Sequence, residues 1–423
     1  MGNILSQKKY ELFDIVVVGG GLAGVAAAIA AARENKRVAL IERYGFFGGM
    51  ATTALVNPFM NYCANGCDTV INAGIFQLLL EKMYEYGATK IKRSYHFNEQ
   101  MLKIVLDDMV RKYENIKVFF HSFLNGATVK NGTIEKISIA TISGNLEISG
   151  RYFIDASGDG LLAAFADVPF EIGDDKGGEC QPMTTCFNLV HVDWNKFDKK
   201  KANEIYARFQ AEGKIKNPRD NILVFTLPTK AMMHFNTTRI VGKNPLDVDD
   251  ITETEFAGRE QVMEMFRFLK ENVEGFEDSE LVQIADQVGV RESRRICGEY
   301  RLNEDDILSL KKFDDGVARC SYDIDIHHSH DGHYTCVKLP QKEWYTIPYR
   351  SLIPIGISNL LIAGRSICSS HVAQSSFRIM PVTTCIGEAA GLAVSLACEK
   401  GSDVRDIEIV DLHKKMNKYG CLY

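Results

Sequence analysis

Four consecutive β-branched residues, Ile15, Val16, Val17 and Val18, run into Gly19, Gly20 and Gly21. A run without polar alternation reads as a strand buried on both faces, the pattern of a parallel sheet. The next stretch, residues 25–34, is rich in alanine, which predicts a helix that lies close to the sheet. Residues 37–42 predict a second buried strand and complete a βαβ unit with a right-handed crossover. Residues 97–113 carry Met101, Ile104, Val105, Met109 and Val110 at helical spacing, which predicts an amphipathic helix.

Between Val118 and Ile154 the pattern changes to short alternating runs broken at Asn131-Gly132 and Ser143-Gly144, both hairpin signals. A small β-meander is expected there. The middle of the chain, about 180–334, mixes strand-like runs at 221–226 and 237–241 with a long polar helix at 250–272. After Tyr345 the early character returns, with a buried strand ending at Gly364 and a helix over about 383–399. The expected fold is therefore α/β: a Rossmann-like domain with a β-meander, made of 10–179 and 335–423, with an α+β unit of 180–334 inserted.

A chain of 423 residues is long enough for two such units. Its net charge of −6 argues against nucleic acid as the main partner, since phosphate binding needs a concentrated positive surface. The most basic stretch, Lys196 to Lys201 in a polar segment continuing to Arg219, reads as a solvated helix face. Eleven cysteines, with no C-x-x-C pair, suggest reduced thiols in a cytoplasmic protein. Cys63 and Cys67 are spaced for one helical face, but Asn61, Asn65 and Gly66 suit a loop equally. No secretory h-region precedes Asp14, and no run approaches the ~18 apolar residues of a membrane helix, so no membrane association is expected. Residues 1–6 fit the myristoylation pattern, which is too permissive to alter that reading.

Gly19-Gly20-Gly21-Leu22-Ala23-Gly24 satisfies G-x-G-x-x-G between a predicted strand and a predicted helix, the context that gives the motif meaning. The first glycine makes the turn, Gly21 admits a pyrophosphate, and Gly24 allows close packing. Glu42, 18 positions beyond Gly24, stands where an acid binds ribose hydroxyls. Gly48-Gly49-Met50-Ala51, Asp155-Ala156-Ser157-Gly158-Asp159-Gly160 and Ala363-Gly364-Arg365 are three further glycine turns. A long cofactor crossing several strand ends fits FAD better than a nicotinamide on one βαβ unit.

Together with Val290-Arg291-Glu292-Ser293-Arg294-Arg295-Ile296, Ile347-Pro348-Tyr349-Arg350 and the stretch from Ala363 through Gly391, these motifs resemble the FAD-dependent oxidoreductase family of the glutathione-reductase-like superfamily. The resemblance covers nearly the whole chain. It implies non-covalent FAD with Gly19, Gly20, Gly21, Leu22, Ala23 and Gly24 around the pyrophosphate, and Glu42 with Arg43 at the adenosine ribose. It implies Gly48, Gly49, Met50 and Ala51 beside the ribityl chain and ring, and Leu124, in a strand 118–124, offering its backbone to adenine. Ala156, Ser157 and Gly158 would flank the adenosine half. Gly364 and Arg365 would meet the diphosphate and ribityl region. Met380, Val382 and Thr383 would begin a helix aimed at the flavin carbonyl, where a helix N-terminus stabilises the negative charge of the reduced ring.

Catalytic candidates follow from what flavin chemistry needs, a proton acceptor and groups that orient a small substrate. His371 lies in the stretch the resemblance sets over the ring, and Arg378 precedes the last predicted helix. Arg291, Arg294 and Arg295 would share one face of a helix, though residues 288–296 could equally be a strand, and they form either an anion clamp or a structural ion-pair network. The tract Asp323, Asp325, His327, His328, His330, Asp331 and His333 has metal-ligand residues, yet Ile324 and Ile326 alternate as in a strand and no zinc spacing emerges. No metal is expected. The expected function is hydride transfer between FAD and a small organic substrate, anionic where the arginines act as a clamp. The alternatives are a non-redox or biosynthetic flavin protein, thiazole-synthase-like or hydratase-like, and a non-enzymatic flavin sensor.

Overall fold

A computed structural model of the chain describes residues 10, 12–174, 178–229, 231–329 and 333–423. The myristoylation-like residues 1–6 and, in the histidine-rich tract, His330, Asp331 and Gly332 lie outside the described residues.

The N-terminal run folds as β1 (Phe13–Val18), α1 (Leu22–Arg33) and β2 (Val38–Ile41), followed by β3 (Ile116–Phe119), β4 (Phe123–Lys130), β5 (Thr133–Thr141) and β6 (Gly144–Asp155). β3, β2, β1 and β6 lie side by side and parallel, and the strand Leu360–Ile362 adds to β6 from the far end of the sequence. Val18 pairs with Ile41 and with Asp155, and Asp155 pairs with Ile362. Four strands thus end at one level, and the four glycine-bearing turns that follow them share one edge of the sheet. In open α/β sheets this edge is where ligands bind.

β6 serves two sheets. Its second half, from Gly150, pairs with β1, while Gly144 to Ser149 pair antiparallel with β5 and extend the meander. The meander begins later than the alternation suggests: Val118 belongs to the parallel β3, and Leu124 lies in a separate strand, β4, opposite Ile139. The expected strand 118–124 is therefore two elements broken by the turn at His121, whose φ is 50°.

α1 lies buried between the sheet and the helix Met380–Lys400. A Cβ on Gly387 would fall 2.0 Å from the Ala23 carbonyl oxygen, and one on Gly391 2.3 Å from that of Ala27. Glycine on one helix and alanine on the other let the two backbones touch. By length and composition Met380–Lys400 passes as a membrane span, but its apolar window is 94% buried inside the protein. Its apolarity is that of a core helix.

A second core gathers Phe187, Leu189, Tyr206, Phe235, Val262 and Phe268. It packs the helices Lys199–Ala211 and Val248–Asn272 against an antiparallel sheet of Phe187–Val190, Val224–Thr226, Met233–Phe235 and Glu280–Ile284. The strand read at 237–241 is instead Met233–Phe235, with Ile240 bridging Met183 alone. From Ile296 onward the chain returns to the first core through Leu302, Ile307, Val317 and Ala318, so residues 180–334 divide between two cores. In the amphipathic helix, Glu99–Arg111, Leu102 and Leu106 replace Ile104, which is 51% exposed. Cys63 and Cys67 sit in a loop turn, with Cys67 N–H bonded to the Ala64 carbonyl, and both thiols are free.

Candidate active site

The turns at the end of the parallel sheet enclose a cleft. The first turn contributes Gly19, Gly21, Leu22 and Ala23, the end of β2 Glu42 and Arg43, and the second glycine turn Gly48, Gly49, Met50 and Ala51. Opposite them stand Ala156, Ser157 and Gly158, then Gly364, Arg365, Met380 and Thr383 from the C-terminal segment.

The glycines do different jobs. Gly19 has a φ of 102°, and a Cβ there would strike the Ala156 carbonyl at 2.3 Å, while one on Gly24 would sit 1.8 Å from the Gly19 oxygen. Both are required by the fold itself. Gly21 is not: its φ of −66° suits any residue, and a Cβ would meet nothing nearer than Gly49 Cα at 3.8 Å. The protein leaves room there that its own packing does not use, as a pyrophosphate needs. Arg365 Nε, on the same cleft, is buried with no hydrogen-bond partner among the described residues. Both observations fit the anionic middle of a dinucleotide.

Glu42 is 6% exposed and accepts from Gly20 N–H at 2.6 Å and from Tyr44 N–H at 2.9 Å. Burial pushes its carboxyl above the usual carboxylate range against those two bonds. Asp155, fully buried, accepts from Ser157 and from Ala163 N–H, so it pins the third turn to the helix Leu161–Phe165. Gly20, Gly24, Leu124 and Val382 do not line the cleft. Gly20 carries the bond to Glu42, and Val382 is fully buried in its helix. Leu124, 2% exposed in β4, is core.

Beside the cleft lies a chamber of about 490 Å³. Met50, Arg365, Arg378 and Met380 line both spaces. The chamber adds Arg219, Arg291, Asp325 and His327, with an apolar wall that includes Met60, Leu223 and Phe225. Arg378 donates to the Asp325 carbonyl at 3.2 Å, and its Nη1 is buried without a partner among the described residues. Arg291 donates to the Pro182 carbonyl. Burial, reinforced by Arg378 and Arg219, pushes Arg291 down to about 9.

His327 and Asp325 form a pair, with Nε2 3.5 Å from the carboxylate. Arg239 can only donate, and it lies 3.4 Å from Nδ1. The partners thus assign the proton to Nε2 and the lone pair to Nδ1. Burial, with Arg291 adding to it, pushes His327 down to about 3, so the ring is neutral at pH 7. Burial alone would raise Asp325, but His327 and the guanidiniums of Arg378 and Arg291 hold it well below the usual range.

The other catalytic candidates lie elsewhere. His371 lines neither space, and its Nδ1 is 2.9 Å from Glu292, a fully buried carboxylate also held by Arg295. Arg294 stacks over Phe170 and donates to the Asp159 carbonyl, also outside both spaces. Arg291, Arg294 and Arg295 share no helical face. Arg294–Ile296 is a strand on Phe170–Ile172, so only Arg291 reaches the chamber and the other two serve as structural ties. Sequence reading missed Arg219, His327 and Asp325. Arg219 sits in a polar, apparently solvated segment yet is 7% exposed, and the Asp–His pair was absorbed in a metal-like tract. Among the described residues no three such ligands converge on one point.

A family profile described as FAD dependent oxidoreductase matches residues 14–416. No curated protein matches the chain. Among solved structures it is similar to a geranylgeranyl bacteriochlorophyll reductase-like protein from Thermoplasma acidophilum, at 13% identity and TM-score 0.49 over 97% of this chain and 82% of that one. It is also similar to p-nitrophenol 4-monooxygenase PnpA from Pseudomonas putida DLL-E4, at 10% identity and TM-score 0.49 over 95% and 83%. The flavin-dependent brominase Bmp2 is comparable, at 10% identity and TM-score 0.49 over 97% and 84%. Because the family profile runs from β1 into the last helix, Ile409–Lys418, this chain belongs to the FAD dependent oxidoreductase family and is an enzyme whose cofactor is FAD.

Proposed function

We propose that the enzyme transfers hydride between FAD in the cleft and a small organic anion in the adjoining chamber. The observation that carries this reading is the shared wall: Met50, Arg365, Arg378 and Met380 face both spaces, so a molecule in each would meet there.

The cofactor would be held by Gly19, Gly21 and Gly49 at its phosphates, by Glu42 and Arg43 towards the ribose, and by the first turn of Met380–Lys400 towards the ring. That helix has no side-chain cap at Ile379, which leaves its N-terminal dipole uncompensated on the side of the cleft. Bound there, FAD supplies a two-electron acceptor or donor. Arg291 and Arg378 bind and orient the anionic end of the substrate. His327 takes the proton at Nδ1, where Arg239 gives up its 3.4 Å contact and keeps its bond to the His333 carbonyl, and Asp325 then stabilises the imidazolium across the Nε2 contact. Neutralising Arg291 with a bound anion removes part of what depresses His327, which brings its basicity towards the working pH. The apolar wall excludes water.

Anaerobic titration of the holoenzyme with a panel of carboxylic acids, sugars and amines tests this. Bleaching of the flavin band by an organic acid, lost on raising the salt, is the expected result. Bleaching only by uncharged sugars or amines, or by nothing in the panel and by no reduced acid in reverse, overturns it.

A further inference from the structure

Resting on that reading, we infer that the chamber is built for a substrate with two negative charges on an apolar frame. Four arginines line it, Arg219, Arg291, Arg365 and Arg378, against a single carboxylate, Asp325. Arg365 is already spoken for by Asp159, at 2.7 Å. Asp325 balances one of the remaining three. Arg219 also feels Asp220, but that carboxylate is exposed and outside the chamber wall, so two guanidiniums have no countercharge within the chamber.

Those guanidiniums are poorly satisfied by the protein. Arg378 has one nitrogen, Nη1, buried and unpartnered among the described residues, and its other bond is a 3.2 Å contact to a carbonyl. Arg291 is tied to a carbonyl oxygen, and Arg219 to an amide oxygen 3.5 Å away. None of these partners carries charge. Other nearby carboxylates are engaged or turned to solvent: Glu292 binds Arg295 and His371, and Asp220 is exposed and does not line the chamber. A monoanion would leave one buried guanidinium uncompensated, which is costly away from water. A dianion closes the account.

The remainder of the wall sets the frame. Val56, Pro58, Met60, Leu223, Phe225 and Ile379 are apolar, and about 490 Å³ lies within the range of drug-sized ligands. A bare four-carbon dicarboxylate would leave most of this surface uncovered. An aromatic or branched skeleton covers it.

The test uses redox-inert probes, so that it does not depend on hydride transfer. Isothermal titration of the FAD-loaded enzyme at low salt would compare isophthalate, phenyl phosphate, benzoate and the neutral isophthalamide. At least one of the two dianions is expected to bind ~10-fold or more tighter than benzoate, with isophthalamide weakest. Preference for isophthalate assigns two carboxylates, and preference for phenyl phosphate assigns a phosphate monoester. In Arg291→Gln and in Arg378→Gln the dianion preference should shrink to within about twofold of benzoate. Should one variant lose FAD or unfold, the other and Arg219→Gln carry the test. Benzoate or isophthalamide binding as tightly as both dianions, or a dianion preference that survives in every folded variant, overturns the inference. Intact dianion preference with no donor or acceptor able to change the flavin would overturn the hydride-transfer reading alone.

Discussion

Glu42 and Gly20 are joined by a 2.6 Å hydrogen bond, so the acid at the end of β2 fixes the very glycine turn beside which the cofactor lies. Its other oxygen accepts from Tyr44 N–H. Glu42→Ala therefore does more than remove a ribose contact: it leaves two backbone donors without their acceptor. Holoenzyme affinity for FAD should fall roughly 10- to 150-fold, the equivalent of about 1.5–3 kcal/mol for a charged hydrogen bond. The FAD-free protein should also unfold at lower denaturant. An apoprotein as stable as wild type would show that the carboxylate does not support the turn.

Gly21 separates binding from folding. With a φ of −66° and 3.8 Å of clearance to the nearest atom, Gly21→Ala should leave the apoprotein's unfolding midpoint close to wild type while FAD retention collapses. Gly24→Ala, whose Cβ would sit 1.8 Å from the Gly19 oxygen, should not fold normally. Yellow, fully loaded Gly21→Ala protein would remove this turn from the cofactor site.

Buried Glu388 gives a pH signature. It caps the start of the helix Ile75–Glu85 through Ile75 N–H at 2.7 Å and lies 3.6 Å from Arg33. Burial outweighs both and raises its pKa from 4.5 to about 7. Between those values the folded chain holds a proton that the unfolded chain has lost, so this group's contribution to stability falls as pH rises through the window. The loss is on the order of 3 kcal/mol. Glu388→Gln should thus gain on wild type as pH moves from 5 to 8. Denaturant curves that stay parallel across that range would contradict the shift.

The parallel half of the fold was legible because it is local. Ile15 to Val18, the glycines after them and the alanines of α1 are contiguous, and each implies its neighbour's geometry. The cleft followed for the same reason, since a turn at a strand end lies at the sheet edge wherever the strand sits. The chamber was not legible. Arg219, Arg291, Asp325 and Arg378 come from stretches far apart along the chain and meet only in the folded chamber. Arg219 resembles a surface residue in a polar segment, and nothing within its segment signals burial. In the Arg291, Arg294 and Arg295 series the strand and ion-pair readings hold for Arg294 and Arg295, while which of the three reaches the chamber was not legible, because strand pairing at Arg294 turns adjacent side chains to opposite faces.

Proton handling is where sequence and structure part, and it yields the sharpest prediction. His371 is locked into a Glu292–Arg295 triad and lines neither space, whereas His327 lines the chamber, neutral and paired with Asp325. Removing each should therefore have opposite signatures. His371→Ala takes a partner from a fully buried carboxylate, and should cost about 1–3 kcal/mol of stability while leaving the rate of substrate-driven flavin reduction near wild type in the folded fraction. His327→Asn should retain FAD and fold, but slow that reduction by ~10² or more, the scale of a lost general base. Its residual rate should also lose the pH dependence that His327 imposes on wild type. That wild-type rate should rise with pH as the imidazolium is lost, with a midpoint above about 3 in the presence of substrate, because a bound anion offsets the Arg291 charge that depresses the ring. Stopped-flow reduction of wild type and both variants, from the lowest pH at which each retains FAD up to pH 9, decides the matter. A slow His371→Ala with a normal His327→Asn would return the role to His371 and require the substrate to lie outside the chamber.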